Sequence, residues 1–211
     1  MSFGGASEYF EDLVAGIDAP LNNLDIFFFN DIVLEAPQLL QFISRTPTLK
    51  SLEIAVVNFM KNFARVELLS SQTSNRRGIR VDILCRGLEW QVSFLEQICN
   101  SFLQFHSKLE YLSITSSFSD LDRIDNIETT LWLEALRPFA AVKKLELIGE
   151  VLRRYIVPAL KELVGDRTTQ VLPALENIIV TGLELEPQAV QEGIRQFAAA
   201  RQVIGHPITV N

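Results

Sequence analysis

Cysteine and histidine are scarce in this chain of 211 residues, which contains two of each. Cys85 and Cys99 have no CxxC spacing and are too few for a disulfide scaffold, so we expect both to pack as small apolar side chains in a reducing compartment. Neither His106 nor His206 has a Cys, Asp or His at the spacing of a metal site. The sequence therefore predicts no metal site and no cofactor.

The chain also lacks features of secreted, membrane-spanning and nucleic-acid-binding proteins. We find no Asn-x-Ser/Thr sequon, no signal peptide, and no uncharged apolar run near the roughly 18 residues that a membrane helix needs. Acidic residues outnumber basic ones, 26 to 19, and the only basic clusters, Asn75–Arg77 and Arg153–Arg154, are too short for a phosphate-binding groove. We expect an intracellular protein, cytoplasmic or nuclear, with neither a nucleic-acid nor a membrane partner.

Motifs of catalysis are missing as well. The sequence has no Gly-x-Ser-x-Gly elbow, no phosphate-binding Walker loop and no glycine fingerprint of a dinucleotide site. Residues Asp120–Asp125 hold three carboxylates, but they lack the central Gly and the final Glu of a calcium-binding EF-hand loop. We predict that the protein is not an enzyme. The alternative is a hydrolase or transferase with an unrecognised carboxylate site.

A repeated apolar pattern is the main feature that is present. Leu-x-x-Leu-x-Ile/Leu, or a close variant, begins at residues 21, 49, 109, 142 and 175, and looser copies occur at Arg80–Ile83 and Pro207–Val210. The first core positions of these segments are residues 24, 52, 81, 112, 145, 178 and 208, which lie 28 to 33 residues apart. Such regular spacing of short alternating segments is typical of a repeat protein.

Helical patterns lie between these segments. Apolar residues recur at helical spacing over Leu88–Leu103 and Leu131–Phe139. Pro158 and Pro187 are each placed to occupy the first turn of a further helix. Strand and helix therefore alternate at a period near thirty residues.

This alternation predicts an α/β fold, specifically a leucine-rich-repeat-like solenoid (horseshoe) with a parallel sheet on the concave side and helices on the convex side. We expect a single domain over residues 1–211. Residues 58–78 depart from the pattern, because Ala64–Leu68 alternates like a strand and a polar loop follows it. A hairpin-like irregularity is expected there in place of a repeat helix.

Strand alternation also predicts which side chains face outward from the concave sheet. The candidate partner-binding residues are Asp25, Glu53, Arg80, Asp82, Tyr111, Lys144 and Glu146. Equivalent positions on adjacent strands lie about 5 Å apart, so Asp25, Glu53 and Asp82 would form an acidic stripe that receives a basic segment of a protein partner. The alternative interpretation is an ordinary solvated sheet face.

With its repeats aligned, the chain resembles the leucine-rich-repeat-like region of fungal F-box proteins, in particular those of mushroom-forming fungi. The matching stretches are Leu24–Asn30, Pro37–Arg45, Trp90–Cys99, Leu136–Phe139 and Gly165–Pro173. The resemblance implies the substrate receptor of a ubiquitin ligase, in which an N-terminal F-box binds the ligase adaptor and the repeats bind the target.

An F-box itself is not found in this sequence. We therefore expect a protein–protein interaction module that binds a target protein, as either a fragment of a longer protein or a product without its adaptor-binding part. Binding of a ligase adaptor is not expected from the residues of this chain.

Overall fold

A computed structural model of the protein describes residues 26–29, 52–60, 63–70, 78–84, 87–101, 108–117, 127–163, 165–181 and 187–211. The strands are β1 (Ile26–Phe29), β2 (Ile54–Met60), β3 (Phe63–Leu69), β4 (Gly78–Leu84), β5 (Tyr111–Ser116), β6 (Lys144–Ile148), β7 (Asn177–Thr181) and β8 (Thr209–Val210). The helices are α1 (Leu88–Ser101), α2 (Thr129–Leu136), α3 (Glu150–Lys161) and α4 (Pro187–Val203), with a 3₁₀ helix at Gly165–Thr169.

The strands form one sheet in the order β1-β4-β3-β2-β5-β6-β7-β8. β3 is antiparallel to both β2 and β4, and every other neighbouring pair is parallel. The molecule is therefore α/β with a mostly parallel sheet. The antiparallel strand β3 falls in residues 58–78, where a hairpin-like irregularity was expected, and it forms a hairpin with β2.

Strands β5 to β8 follow the predicted repeat closely. Their register aligns Leu112, Leu145, Ile178 and Val210, and the first three are completely buried. The predicted alignment of those three residues is confirmed. At β8 the prediction chose Ile208, which is two residues too early, because Val210 is the residue that pairs with Ile178. The strand begins at Thr209, whose backbone N–H donates to the carbonyl oxygen of Glu176 at 2.8 Å.

The four helices of the described residues contact one another in chain order, α1 to α2, α2 to α3 and α3 to α4. Their apolar side chains and those of one sheet face form a single buried core that includes Leu95, Trp132, Leu160 and Phe197. No helix in these ranges is both long enough and apolar enough to cross a membrane. We call the sheet surface that joins this core the core face, and the opposite surface the open face.

Alternation along β2 shows how the two faces differ. Ala55, Val57 and Phe59 point into the core and are fully buried, whereas the residues between them are only partly buried. On the core side, the ring of Phe59 meets that of Trp132 in α2 edge to face, with centroids 5.5 Å apart. This contact connects the strand to the helix layer, as expected for paired aromatic rings.

The register of β2 corrects one predicted alignment. We expected Leu52 to match Leu112, but Ala55 is the residue that pairs with Leu112. The alternation of buried residues continues to Phe59, so the strand lies three residues further along the chain than its leucines indicate. Leu52 is buried just before the strand begins.

The position of β4 in the sheet corrects a second prediction, which concerned the order of the strands. Arg80–Ile83 was predicted to form the repeat strand between β2 and β5, but β4 lies between β1 and β3. β2 pairs directly with β5 instead. The reason is that β3 reverses the chain beside β2 and leads it away from β5.

Of the two prolines predicted to lie in the first turn of a helix, one does so and the other does not. Pro187 is the first residue of α4, as expected. Pro158 lies inside α3, which begins eight residues earlier at Glu150. Gly149, immediately before α3, has φ of +102°, and a Cβ there would lie 2.6 Å from the carbonyl oxygen of Ser116. This close approach of two backbones requires glycine.

Arg201 of α4 is buried, with 1% of its surface exposed. Its guanidinium donates hydrogen bonds of 3.0 to 3.2 Å to the carbonyl oxygens of Thr168, Leu172, Pro173, Leu175 and His206. Burial lowers the pKa of Arg201. Four of these carbonyl groups belong to the connection that leads into β7, and that of His206 belongs to the connection between α4 and β8. Arg201 thus supplies hydrogen bonds that buried carbonyl groups need.

Candidate functional site

The open face contains most of the residues that were predicted to bind a partner. Arg80 and Asp82 lie on β4, whereas Tyr111, Lys144 and Glu146 lie on β5 and β6. The two groups are on opposite sides of β2 and β3 in the sheet. Asp25 lies outside the described residues.

Glu53 stands apart from both groups, because it immediately precedes β2. Its backbone carbonyl accepts hydrogen bonds from the N–H groups of Glu110 and Tyr111. Glu53 is therefore in register with Glu110, Lys143 and Glu176, each of which precedes its own strand. It belongs to the rim of the sheet at the strand N-termini, where Lys143 and Glu110 form an exposed ion pair of 2.8 Å.

On β3 and β4, four charged side chains form the charged quartet, defined as Arg65, Glu67, Arg80 and Asp82. Arg65 donates from two nitrogens to the two carboxylate oxygens of Asp82, at 2.6 and 2.9 Å. Arg80 donates to a carboxylate oxygen of Glu67. The hydrogen bond from Arg65 to Asp82 raises the pKa of the Arg65 guanidinium against the opposing effect of burial. Each carboxylate of the charged quartet thus has an arginine directly opposite it.

The charged quartet excludes the predicted acidic stripe. Asp82 is separated from β2 by the whole width of β3, so it lies about 10 Å away across two strand spacings. Its negative charge is balanced by Arg65, and Glu53 is on the rim. The stripe of Asp25, Glu53 and Asp82 was inferred by placing three strands side by side, and that order is wrong for β2 and β4.

Arg65 and Glu67 were not among the predicted site residues, although the sequence contained a signal for them. Ala64–Leu68 alternates as a strand, and its apolar members Ala64, Val66 and Leu68 are all buried. The two charged residues between them must then face the open side. Which strand they would face could not be read from this alternation.

On β5 and β6, a second group forms around one carboxylate. We define the Glu146 cluster as Tyr111, Ser113, Lys144 and Glu146. Tyr111 donates its phenolic hydrogen to Oε2 of Glu146, and the Ser113 hydroxyl donates to the same oxygen at 3.0 Å. The Lys144 ammonium lies 5.1 Å from the centroid of the Tyr111 ring, a cation–π contact.

The pKa of Tyr111 is changed by this environment. Burial, followed by the hydrogen bond to Glu146, raises the pKa of Tyr111 to about 12. Both causes disfavour the phenolate, because it would be poorly solvated and would lie beside a second negative charge. The phenol therefore keeps its proton, and can donate to Glu146, up to a higher pH than an ordinary tyrosine.

Between the two groups, β2 presents apolar side chains to the open face. The β2 stripe is defined as Ile54, Val56 and Met60, all partly buried, with Asn58 among them. Leu69 pairs with Ile54 and Phe63 pairs with Met60 across the β2–β3 hairpin, which widens the apolar area. An apolar centre bordered by polar groups is the usual anatomy of a protein-binding surface.

Within the described ranges, no group of three or more His, Cys, Asp or Glu side chains is placed to hold a metal ion. Burial raises the pKa of the Cys99 thiol, which keeps it protonated in the core. Comparison of the chain with protein-family models, with curated proteins and with solved structures finds no match.

Proposed function

We propose that this protein is a protein–protein interaction module and that its partner binds the open face. The observation that carries the proposal is the β2 stripe, which lies between the charged quartet and the Glu146 cluster. Within each of these two groups the side chains are held by hydrogen bonds to one another. Burial of apolar area drives association. Side chains held by cross-strand hydrogen bonds lose little further freedom when a partner orders them, which lowers the entropic cost of binding.

We further propose that the fold is a leucine-rich-repeat-like solenoid with the open face on its concave side. The support comes from β5 to β8, where parallel strands repeat in register and helices follow in the same order. In repeat proteins of this kind the concave sheet is an extended binding surface.

The resemblance to the repeat region of F-box proteins extends the proposal to the recognition of a target protein inside the cell. In a ubiquitin-ligase receptor of that type, a separate module binds the adaptor and the repeats bind the target. The role proposed for the present chain is therefore target binding, without catalysis.

Affinity purification with matched variants tests this function. The bait is the intact chain, which is immobilised on a support and incubated with an extract of the cells that produce it. Val56→Arg places a charge in the middle of the β2 stripe, whereas Val203→Arg places one at the end of α4, where the side chain is 86% exposed. We expect the same proteins to be recovered with the unmodified chain and with Val203→Arg, and to be lost with Val56→Arg.

Circular dichroism of each variant verifies that the fold is retained. Recovery of the same proteins with Val56→Arg would show that the open face is not the binding surface. Recovery of a ligase adaptor together with a target would support the receptor role.

A further inference from the structure

The carboxylates of the open face differ in how their charge is balanced. Asp82 and Glu67 each accept hydrogen bonds from an arginine on the neighbouring strand. Glu146 accepts hydrogen bonds from two neutral hydroxyl groups. The ion pairs formed among the described residues do not include Glu146. The nearby Lys144 ammonium lies over the Tyr111 ring. The negative charge of Glu146 is thus oriented without being neutralised by a direct ion pair.

The hydrogen bonds to Glu146 also fix which oxygen is used. Both hydroxyl groups donate to Oε2. A carboxylate has two oxygens and can accept about four hydrogen bonds, so Oε1 keeps its capacity to accept from another molecule. Because the two donors hold the carboxylate in place, a newly bound donor would not have to order it.

The surroundings of Glu146 favour one type of cation. In the sheet register, Glu146 is flanked by Ile179 on β7 and by Ser113 on β5, and Val56 of the β2 stripe follows Ser113. A guanidinium bonds a carboxylate through a planar fork of N–H donors, and its aliphatic stem covers apolar surface. A lysine ammonium is more strongly hydrated and lacks this geometry.

From this charge complementarity we infer that Glu146 receives an arginine side chain of the bound protein partner, with Tyr111 and Ser113 as positioning residues. The inference rests on the proposed function, since it names the chemistry that the open face recognises. The basic feature of the partner is then a single arginine beside the β2 stripe, and its acceptor is Glu146 rather than the stripe of carboxylates predicted from the sequence.

Selection of peptides from a random displayed library tests the inference directly. The intact chain is immobilised, bound peptides are identified, and the recurrent ones are synthesised. We expect an arginine at a recurrent position. Replacing that arginine with citrulline, which keeps the shape but removes the charge, should weaken binding to the unmodified chain by about tenfold or more, the range of a charge-assisted hydrogen bond.

Three protein variants locate the effect. Glu146→Gln should bind the arginine peptide as weakly as the unmodified chain binds the citrulline peptide, with no further loss when both changes are combined. Glu192→Gln, an exposed position on α4, serves as the control and should bind like the unmodified chain. Val56→Arg should abolish binding of both peptides. The citrulline peptide needs no change to the protein, so this comparison does not depend on the folding of any variant.

The outcomes separate the inference from the proposed function. One outcome would overturn the arginine inference and leave the open face as the binding surface. In that outcome the peptides fail to bind Val56→Arg, but neither Glu146→Gln nor the citrulline substitution changes their affinity. Peptides that bind Val56→Arg and Glu146→Gln as well as the unmodified chain would contradict both.

Discussion

The two parts of the sheet, β5–β8 and β1–β4, consist of similar short strands that are connected in different ways. In β5–β8 a helix lies between each strand and the next, so the strands are parallel and their core residues repeat every 32 or 33 positions. In β2–β4 each strand reverses beside the previous one. Apolar alternation thus identifies a strand, whereas the connection that follows the strand decides its direction and its neighbours.

The polar groups of the two parts differ correspondingly. Antiparallel β3 and β4 place arginine opposite carboxylate, which gives the charged quartet. Parallel β5 and β6 place hydroxyl groups beside Glu146. In the first arrangement each carboxylate is paired with an arginine, and in the second the carboxylate is held by hydroxyl groups.

Arg201 supports β5–β8 in a way that no arginine of the charged quartet supports β1–β4. Arg201→Met would leave five carbonyl groups without this donor, and we expect it to lower the free energy of unfolding by about 3–5 kcal/mol, because each buried carbonyl group that stays unsatisfied costs about 1–3 kcal/mol. Urea denaturation followed by circular dichroism measures this. Arg195→Met, on the exposed side of the same helix, is the control and should change stability by less than about 0.5 kcal/mol. A loss below about 1 kcal/mol for Arg201→Met would show that these hydrogen bonds are replaced by water.

Gly149 is where β6 passes into α3 against the end of β5. Gly149→Ala would force a Cβ against the Ser116 carbonyl and would strain a backbone at φ of +102°. We expect a loss of about 2–4 kcal/mol, which combines overpacking with the strain of positive φ. Gly205→Ala is the matched control, since Gly205 has φ of +82° and open space around its Cβ position. Equal losses for the two variants would mean that the close approach to Ser116 contributes nothing.

Tyr111 offers a test of the Glu146 cluster by pH. Because its pKa is raised to about 12 in the folded protein, the stabilising contribution is complete below the usual tyrosine pKa of about 10 and is lost as pH rises through about 12. Absorbance titration near 295 nm should show a late-ionising tyrosine that disappears in Tyr111→Phe. Glu146→Gln should lower the pKa of Tyr111 without restoring its usual value, because burial is the larger cause. Unchanged ionisation in Glu146→Gln would contradict the hydrogen bond between them.

Much of β5–β8 could be predicted from the sequence because its determinants are local. The spacing of Leu112, Leu145 and Ile178 reflects one strand–helix unit at a time, and these residues share a row as expected. The same alternation placed Tyr111, Lys144 and Glu146 on one face, where they now form most of the Glu146 cluster. Alternation with a period of two residues is sufficient to assign side chains to the two faces of a strand.

The order of β1–β4 could not be predicted in this way. Val81 and Leu112 look alike in sequence, yet β4 and β5 lie on different sides of β2. Strand order is decided by contacts between distant segments, which apolar spacing does not encode. The ion pair between Arg65 and Asp82 was therefore unpredictable, because each residue gains its neighbour only through the reversal at β3.

The pairing of β2 with β5 has a consequence for the order in which the protein can assemble as it is synthesised. β3, β4 and α1 all lie between these two strands in the chain. A hairpin of β2 and β3 can form early, but the other side of β2 waits for a strand that leaves the ribosome much later. A nascent chain that stalls before Tyr111 would therefore expose an unpaired strand edge, the kind of surface that recruits other chains into aggregates.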